Sequence, residues 1–291
     1  MSRHAALLRF APALFIFIWS SGYVVAKYAA PHAEPLSFLL LRYLGVVLLM
    51  TALAFVFKAQ WPSRRDCLHL AIAGVGIQAA YLGGVWVAVK QGMPAGVAAL
   101  IVNLQPVLTA ALAVLVHERV SPRQWAGVAL GFGGVVMVVW HKLAFGNLQV
   151  AGVLLCAMAL VCMTAGTLYQ KRFVPQFDLR TGQVVQFAAS IAITLPFALA
   201  FESFQIHWNA PFIAAMLWSI GVLTAGGISL MFLMLREGKA TTVTSYMYLV
   251  PSVTSLMAWQ MFGETLSTTA IVGMGVSLCG VYLVVRRSEG T

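Results

Sequence analysis

The chain has 291 residues, of which 61% are hydrophobic and 9% charged, and its mean hydropathy is +0.89; soluble globular chains carry about 25% charged residues. A soluble fold of this length cannot hide so much apolar surface, so the bilayer must be its solvent. The formal charge of +10 does not point to nucleic acid, because the cations are scattered over loops and form neither a basic domain nor a stripe.

Ten apolar runs of membrane-spanning length are predicted, at about 10–30, 36–57, 68–89, 94–116, 124–140, 149–170, 183–201, 212–235, 240–262 and 270–285. The runs are too long for a barrel and lack its alternating polar face. The first follows Arg3 and Arg9 and is read as a retained anchor, since further spans follow at once. It carries Trp19, Ser20, Ser21, Tyr23 and Lys27. After the connector Pro31–Pro35 comes the second run, with Arg42 about six residues in. Lys27 and Arg42 are the formal charges placed inside spans, and their long stems permit snorkelling to headgroups or to Glu34. The alternative is that one of them, Lys27 in particular, attracts a solute carboxylate at the outer mouth.

The third run presents Gln78 and Tyr81 on one face, three residues apart, with Trp86 beyond them. The fourth holds Asn103, Gln105 and Pro106, and the ninth holds Thr244, Ser245, Tyr246, Tyr248, Pro251 and Ser252. A proline inside a span removes a backbone donor and disturbs the preceding carbonyl, a break tolerated in membrane only where neighbouring groups or water satisfy the freed carbonyl. Pro106 and Pro251 are expected in the interiors of their helices. In the sixth run Thr164 and Thr167 share a face, followed by Tyr169. Hydroxyls and amides offer neutral donors and acceptors to a polar solute, aromatic rings offer area, and the same hydroxyls and amides also join helices. Gly127 and Gly131 in the fifth run, and Gly273 and Ser277 in the tenth, form small-xxx-small faces for close helix approach. Trp61, Trp208 and Trp218 are expected at the bilayer interface.

With the N-terminus assigned to the cytoplasm, fourteen of the 18 Lys and Arg residues fall on cytoplasmic ends and loops: Arg3, Arg9, Lys58, Arg64, Arg65, Arg119, Arg123, Lys171, Arg172, Arg180, Arg236, Lys239, Arg286 and Arg287. Both termini are therefore expected inside. The eight acidic residues all fall in loops or at span ends, which leaves no mid-bilayer carboxylate for a proton or sodium relay and favours uniport down the solute's own gradient, or coupling through groups such as Tyr and backbone carbonyls. The histidines are placed outside the spans, so no Ser/His or Cys/His catalytic constellation is expected and the chain is not read as an enzyme. The cysteines have no paired spacing and Gly131–Gly134 has no following lysine, so no metal, disulfide, nucleotide or other cofactor is expected.

The segment from Pro94 through Pro106-Val107 to Glu118 and the glycines at 131–134 is echoed by Lys239 through Pro251-Ser252 to Glu264, Gly273 and Gly280. The two prolines lie 145 positions apart and the two glutamates 146. A unit of five spans reverses direction, so the halves 1–145 and 146–291 are expected as inverted five-helix repeats of one all-α integral membrane protein with ten transmembrane helices.

Trp19-Ser20-Ser21-Gly22-Tyr23 with Lys27, Leu41-Arg42-Tyr43, and the doubled pattern of a proline-containing helix, a Glu loop and a Gly-rich helix resemble the drug/metabolite transporter superfamily, EamA type. The resemblance covers almost the whole chain and implies a ten-helix bundle in the bacterial inner membrane, with a central cavity lined by helices one, three, four, six, eight and nine. It is most similar to bacterial exporters of aromatic amino acids. The expected function is export of aromatic or neutral amino acids, or of related small metabolites, by alternating access; the alternative is a non-selective channel or facilitator. The expected partners are a small-molecule substrate and membrane lipid, without nucleic acid.

Overall fold

The structure is a computed structural model that describes residues 3–113, 121–144, 149–227, 230, 249–264 and 267–285. The predicted pathway residues Thr244, Ser245, Tyr246 and Tyr248 lie outside the described residues, as do Glu118, Arg119, Arg236, Glu237, Lys239, Arg286, Arg287 and Glu289.

The described residues are helical almost throughout. In chain order they form α1 (Arg3–Ala29), α2 (Pro35–Val56), α3 (Arg64–Gly74), a π-helical segment (Val75–Ala80), α4 (Tyr81–Lys90), α5 (Ala95–Val102), α6 (Gln105–Ala113), α7 (Pro122–Ala144), α8 (Val150–Phe173), α9 (Leu179–Phe201), α10 (Ala210–Leu217), a second π-helical segment (Trp218–Gly226), α11 (Val250–Phe262) and α12 (Thr268–Val285). Among them five stretches are long and apolar enough to cross a membrane: Phe10–Ala29, Pro35–Val56, Arg64–Lys90, Val150–Phe173 and Leu179–Phe201. Leu48, Leu154 and Leu199 are 63%, 64% and 66% exposed on these helices, a surface that lipid rather than water must cover.

The helix starts follow from local chemistry. Pro35 stands in the first turn of α2, where its fixed φ suits the helix and its missing N–H costs nothing. Ser63 caps α3 by accepting from Asp66 N at 3.1 Å and donates its hydroxyl to the Asp66 carboxylate at 2.6 Å. Asn209 caps α10 by accepting from Phe212 N at 2.9 Å. At the other end of a helix, Gly263 adopts φ 66° after α11, the left-handed conformation that closes a C-terminus.

Three departures from the sequence expectations have local causes. The fourth run is broken: α5 ends at Val102 and α6 restarts at Gln105. A proline ring excludes the carbonyl four residues earlier, so the chain turns at Asn103-Leu104 and Pro106 stands in a first turn, not in a helix interior. Pro251 likewise stands in the first turn of α11. His69, expected outside the spans, lies within α3 and hydrogen-bonds the Tyr169 hydroxyl at 2.8 Å.

The chain forms two compact units, each drawn from both halves of the sequence. One comprises Met1–Val24, Gly92–Val153 and Ala225–Thr291; the other comprises Val25–Gln91 and Leu154–Thr224. In the first, α7 and α12 pack backbone to backbone. A Cβ added at Gly280 would stand 2.2 Å from Gly131 N and 2.7 Å from Gly127 O, and one added at Gly134 would stand 2.5 Å from Gly273 O. Ser277 donates to Gly131 O across the same seam at 3.3 Å. The small-residue faces read from the sequence thus meet each other. Ala95 N donates to the Glu264 carboxylate at 3.4 Å, tying the start of α5 to the loop after α11.

In the second unit, α3 and its π-helical continuation are pressed onto two neighbours at glycines. A Cβ at Gly74 would lie 2.6 Å from Gln186 Cα in α9, and one at Gly76 would lie 2.8 Å from Cys162 O in α8. The loops at the two ends of α9 are fixed to those at the ends of α2. At one end Thr181 donates to Gln60 O at 2.7 Å and the Arg180 guanidinium lies 4.7 Å above the Phe57 ring. At the other, Glu202 accepts from Leu36 N and Ser37 N at 2.8 and 2.7 Å, while Glu34 accepts from Ser203 N at 2.8 Å. Each carboxylate thus serves the other's segment, and Glu202 satisfies orphan donors at the start of α2. Glu202→Gln is expected to lower the melting temperature of the purified protein through a loss of about 1 kcal/mol, with Glu202→Ala losing more; thermal denaturation in detergent reads both.

Candidate functional site

The polar residues of the second unit gather around the middle of α2. Arg42 is the eighth residue of that 22-residue helix, about 10 Å from its start at 1.5 Å per residue. It is only 8% exposed. Its Nε is buried and donates to no acceptor among the described residues. The snorkelling expectation for Arg42 is therefore incorrect: the side chain turns into the helix packing, and Glu34, the carboxylate assigned to it, is engaged with Ser203. A buried guanidinium without a carboxylate partner is costly for a protein to keep, which makes it the strongest functional signal among the described residues.

The next residue, Tyr43, is fully buried and donates its hydroxyl to the carbonyl of Gln78 at 2.9 Å. That carbonyl belongs to the first π-helical segment, where the wider turn displaces carbonyls from the regular ladder and side chains can reach them. Ser190 of α9 donates to Gln186 O one turn back at 2.8 Å, with Gly74 O at the end of α3 standing 3.2 Å away. Rings frame the cluster: Phe38 stacks on Trp86 with centroids 4.5 Å apart, Phe212 meets Phe38 edge-on at 5.6 Å, and Tyr43 lies 5.4 Å from Phe187. The Gln186 amide donates to the Gln170 side-chain oxygen, joining α9 to α8.

The structure thus gathers Gln78, Tyr81 and Trp86 of the sequence-predicted site around α2. Tyr169 belongs to a separate cluster, with His69 stacked on Phe173 at 4.8 Å. Thr164 and Thr167 donate to the carbonyls of Leu160 and Met163, one turn back in their own helix. Lys27 is half-buried in the last turn of α1. In the first unit Ser20 is fully buried and joins α1 to α11, its hydroxyl donating to Val250 O at 3.3 Å while its carbonyl accepts from Thr254 at 3.2 Å. Ser21 donates to Ile18 O at 2.6 Å and Asn103 to Ala99 O at 2.7 Å, the latter capping the broken end of α5. Trp19 lies 5.5 Å from Phe15, Tyr23 and Pro251 are buried, and Gln105 and Ser252 are half-buried. Trp61 and Trp208 are exposed in the loops at opposite ends of α9, whereas Trp218 is half-buried. Sequence reading singled out Arg42 but not Gln183 or Ser219, whose Oε1 and Oγ are, with Arg42 Nε, buried side-chain atoms without a hydrogen-bond partner among the described residues. The signal for Arg42 was its charge inside a span; nothing local distinguished the other two.

This is a membrane helix bundle of the kind that moves solutes, with a charged and aromatic cluster held inside one of its units. The chain belongs to the EamA-like transporter family, whose profile matches it twice, over residues 10–140 and 150–286. It is similar to the "Uncharacterized inner membrane transporter YedA" of Escherichia coli K12, with 27% identity over 94% of this chain and 88% of that protein. It is also similar to the "Uncharacterized transporter YvbV" of Bacillus subtilis, with 28% identity over 99% and 93%. A "Probable amino-acid metabolite efflux pump" of Salmonella typhimurium is 28% identical over 93% and 92%. One crystal structure, 16% identical, matches with a TM-score of 0.67 over 95% of this chain and 96% of that one, which shows a shared fold. The protein is a multi-pass small-molecule transporter and not an enzyme.

Proposed function

We propose that this protein exports aromatic or neutral amino acids, or closely related metabolites, across the bacterial inner membrane by alternating access of two inverted five-helix repeats, 1–145 and 146–291, with both termini in the cytoplasm. The observation that carries the mechanism is the placement of the two π-helical segments found among the described residues. Val75 and Trp218, which begin them, are 143 positions apart, and Ala80 and Gly226, which end them, are 146 apart. These offsets lie within about two residues of the sequence repeat's period, so a similar local distortion recurs close to the corresponding place in each half. π-helical turns mark functional sites and yielding points in helices, and paired helix irregularities in repeated halves are a mark of transporters.

The amino-acid reading is supported by the aromatic rings beside buried polar groups in the α2 cluster and by the similarity to the Salmonella efflux pump. The orientation is supported by charge. Lys58, Arg64, Arg65, Lys171, Arg172 and Arg180 stand at the end of the second unit where Gln60 meets Thr181, and Glu34 and Glu202 stand at the other. A reporter fused after Thr291 tests this, and activity in the periplasm would contradict it. Substrate class is tested by uptake of labelled Phe, Tyr, Trp, Thr and Ala into liposomes containing the purified protein. Saturable uptake of at least one is expected; failure of all of them, alongside uptake of another metabolite class, would refute the amino-acid assignment.

A further inference from the structure

In the second unit the loop after α1 is laced to the loop between α9 and α10. Ala33 and Ile206 form an antiparallel bridge, His207 N donates to His32 O at 2.8 Å, and Asn209 Nδ2 meets His32 Nδ1 at 3.0 Å. The roles in the last contact are fixed by what Asn209 does on its other side. Its Oδ1 accepts from Phe212 N at 2.9 Å as the N-cap of α10. A backbone N–H can only donate, so the amide has one allowed orientation and turns its NH2 toward the imidazole. His32 Nδ1 is therefore the acceptor, which requires a neutral ring carrying its proton on Nε2. A proton added at Nδ1 sets two donors face to face, and the bond is lost.

The other ionisable groups bordering His32, among the described residues, are Lys27 and Tyr28 in the last turn of α1, Glu34 on its own loop, Lys90 at the end of α4, and Glu202 and His207 across the pairing. Lys90 donates to Ala30 O, Glu34 accepts from Ser203, and Glu202 accepts from the start of α2. The Tyr28 and His32 rings meet at a steep angle with centroids 6.4 Å apart. His207 joins the pairing through its backbone, and its residue is exposed. Both carboxylates are thus engaged by backbone donors, and the contact whose chemistry a proton inverts is the one between His32 and Asn209.

We propose that His32 and Asn209 form a proton-operated clasp: protonation of His32 releases Asn209, and with it the cap of α10 and the pairing of the two loops. α10 runs directly into the second π-helical segment, Trp218–Gly226, so the clasp controls the start of the helix whose distortion the proposed transport mechanism uses. The side from which the proton comes rests on the orientation proposed above, which puts this face outside the cell. The clasp itself does not depend on that reading.

Hydrogen–deuterium exchange of the purified protein in detergent reads the opening directly. Peptides covering residues 203–213 are compared at about pH 8 and about pH 5.5, on either side of the range in which an imidazole changes charge, after correction for the chemical pH dependence of exchange. Wild-type protein should exchange roughly 3- to 10-fold faster here in acid, the effect expected from losing one hydrogen bond. His32→Asn keeps an acceptor near the Nδ1 position and cannot titrate, so its corrected exchange should not change with pH. Asn209→Asp keeps the cap and turns a carboxylate oxygen toward His32, so acid should slow its exchange. His207→Gln should respond as wild type does.

No acceleration in wild type would overturn the inference, and equal acceleration in His32→Asn would place the acid response at another group and overturn it as well. Acceleration in Asn209→Asp would do the same, and this variant decides the matter if His32→Asn is not recovered folded. The two proposals fail separately. A periplasmic reporter at Thr291 would reverse the face that senses acid and leave the clasp standing, whereas a pH-independent wild type with a cytoplasmic C-terminus would remove the clasp and leave the orientation.

Discussion

Gly280→Leu is expected to leave less than about a tenth of the wild-type yield of monodisperse protein, because overpacking at a backbone contact costs about 1–3 kcal/mol or more and the helices here have no room to separate without losing their seam. A Cβ at this position meets Gly131 N at 2.2 Å and Gly127 O at 2.7 Å. Those atoms belong to the α7 backbone and cannot rotate away as a side-chain tip would. Gly134→Leu should fail similarly, against Gly273 O and Ser277 N, each at 2.5 Å from the added Cβ. Gly133 and Gly275 supply the control: a Cβ at either meets nothing within 4 Å, so Gly133→Ala and Gly275→Ala should be recovered normally. Size-exclusion chromatography of the four proteins reads the contrast, and normal recovery of Gly280→Leu would show that α7 and α12 are not packed as described.

The second large effect is expected on turnover. Pro106 stands where α6 restarts after the break at Asn103-Leu104. Alanine there restores an N–H and removes the ring that excludes the preceding carbonyl, so a continuous α5–α6 helix becomes favoured by up to about 3 kcal/mol. If transport requires the broken form, a bias of even 1.4 kcal/mol lowers its population roughly tenfold. Pro106→Ala should therefore lose about tenfold or more in turnover at normal folded yield, and Pro251→Ala should behave alike if the halves are equivalent. Initial rates per folded protein in liposomes check this, and undiminished turnover in both variants would remove both prolines from the mechanism.

The sequence made legible whatever depends on the period and chemistry of neighbouring residues. Apolar run length located the five stretches long enough to cross a membrane, and Gly127, Gly131, Gly273 and Ser277 marked the α7–α12 seam because small residues four apart share a helix face. Pro106 marked a place where a helix must be interrupted, though the break falls before its ring, which is why its interior placement was wrong. What was hidden depends on partners distant in the chain. Glu34 and Glu202 read as loop charges, and their crossed capping appears only when segments more than 160 residues apart meet. Tyr43 taps the Gln78 carbonyl within the π-helical turn at Val75–Ala80, and no pattern within that segment announces that partner. Arg42 was visible as a charge inside a span, but its burial depends on how α2 packs. Gln183 and Ser219 became interesting only through their lack of partners.

The central claim is that the protein is a carrier that exposes one site alternately to the two sides of the membrane. Counterflow tests it most directly: liposomes containing the purified protein are loaded with unlabelled phenylalanine and diluted into a trace of labelled phenylalanine. A carrier must return its site by either exchange or empty reorientation, so entry of label should overshoot transiently and should be faster than into unloaded liposomes. Entry at the same rate with and without internal solute, and no overshoot while the vesicles remain permeable to the label through the protein, would show an open pathway and contradict alternating access.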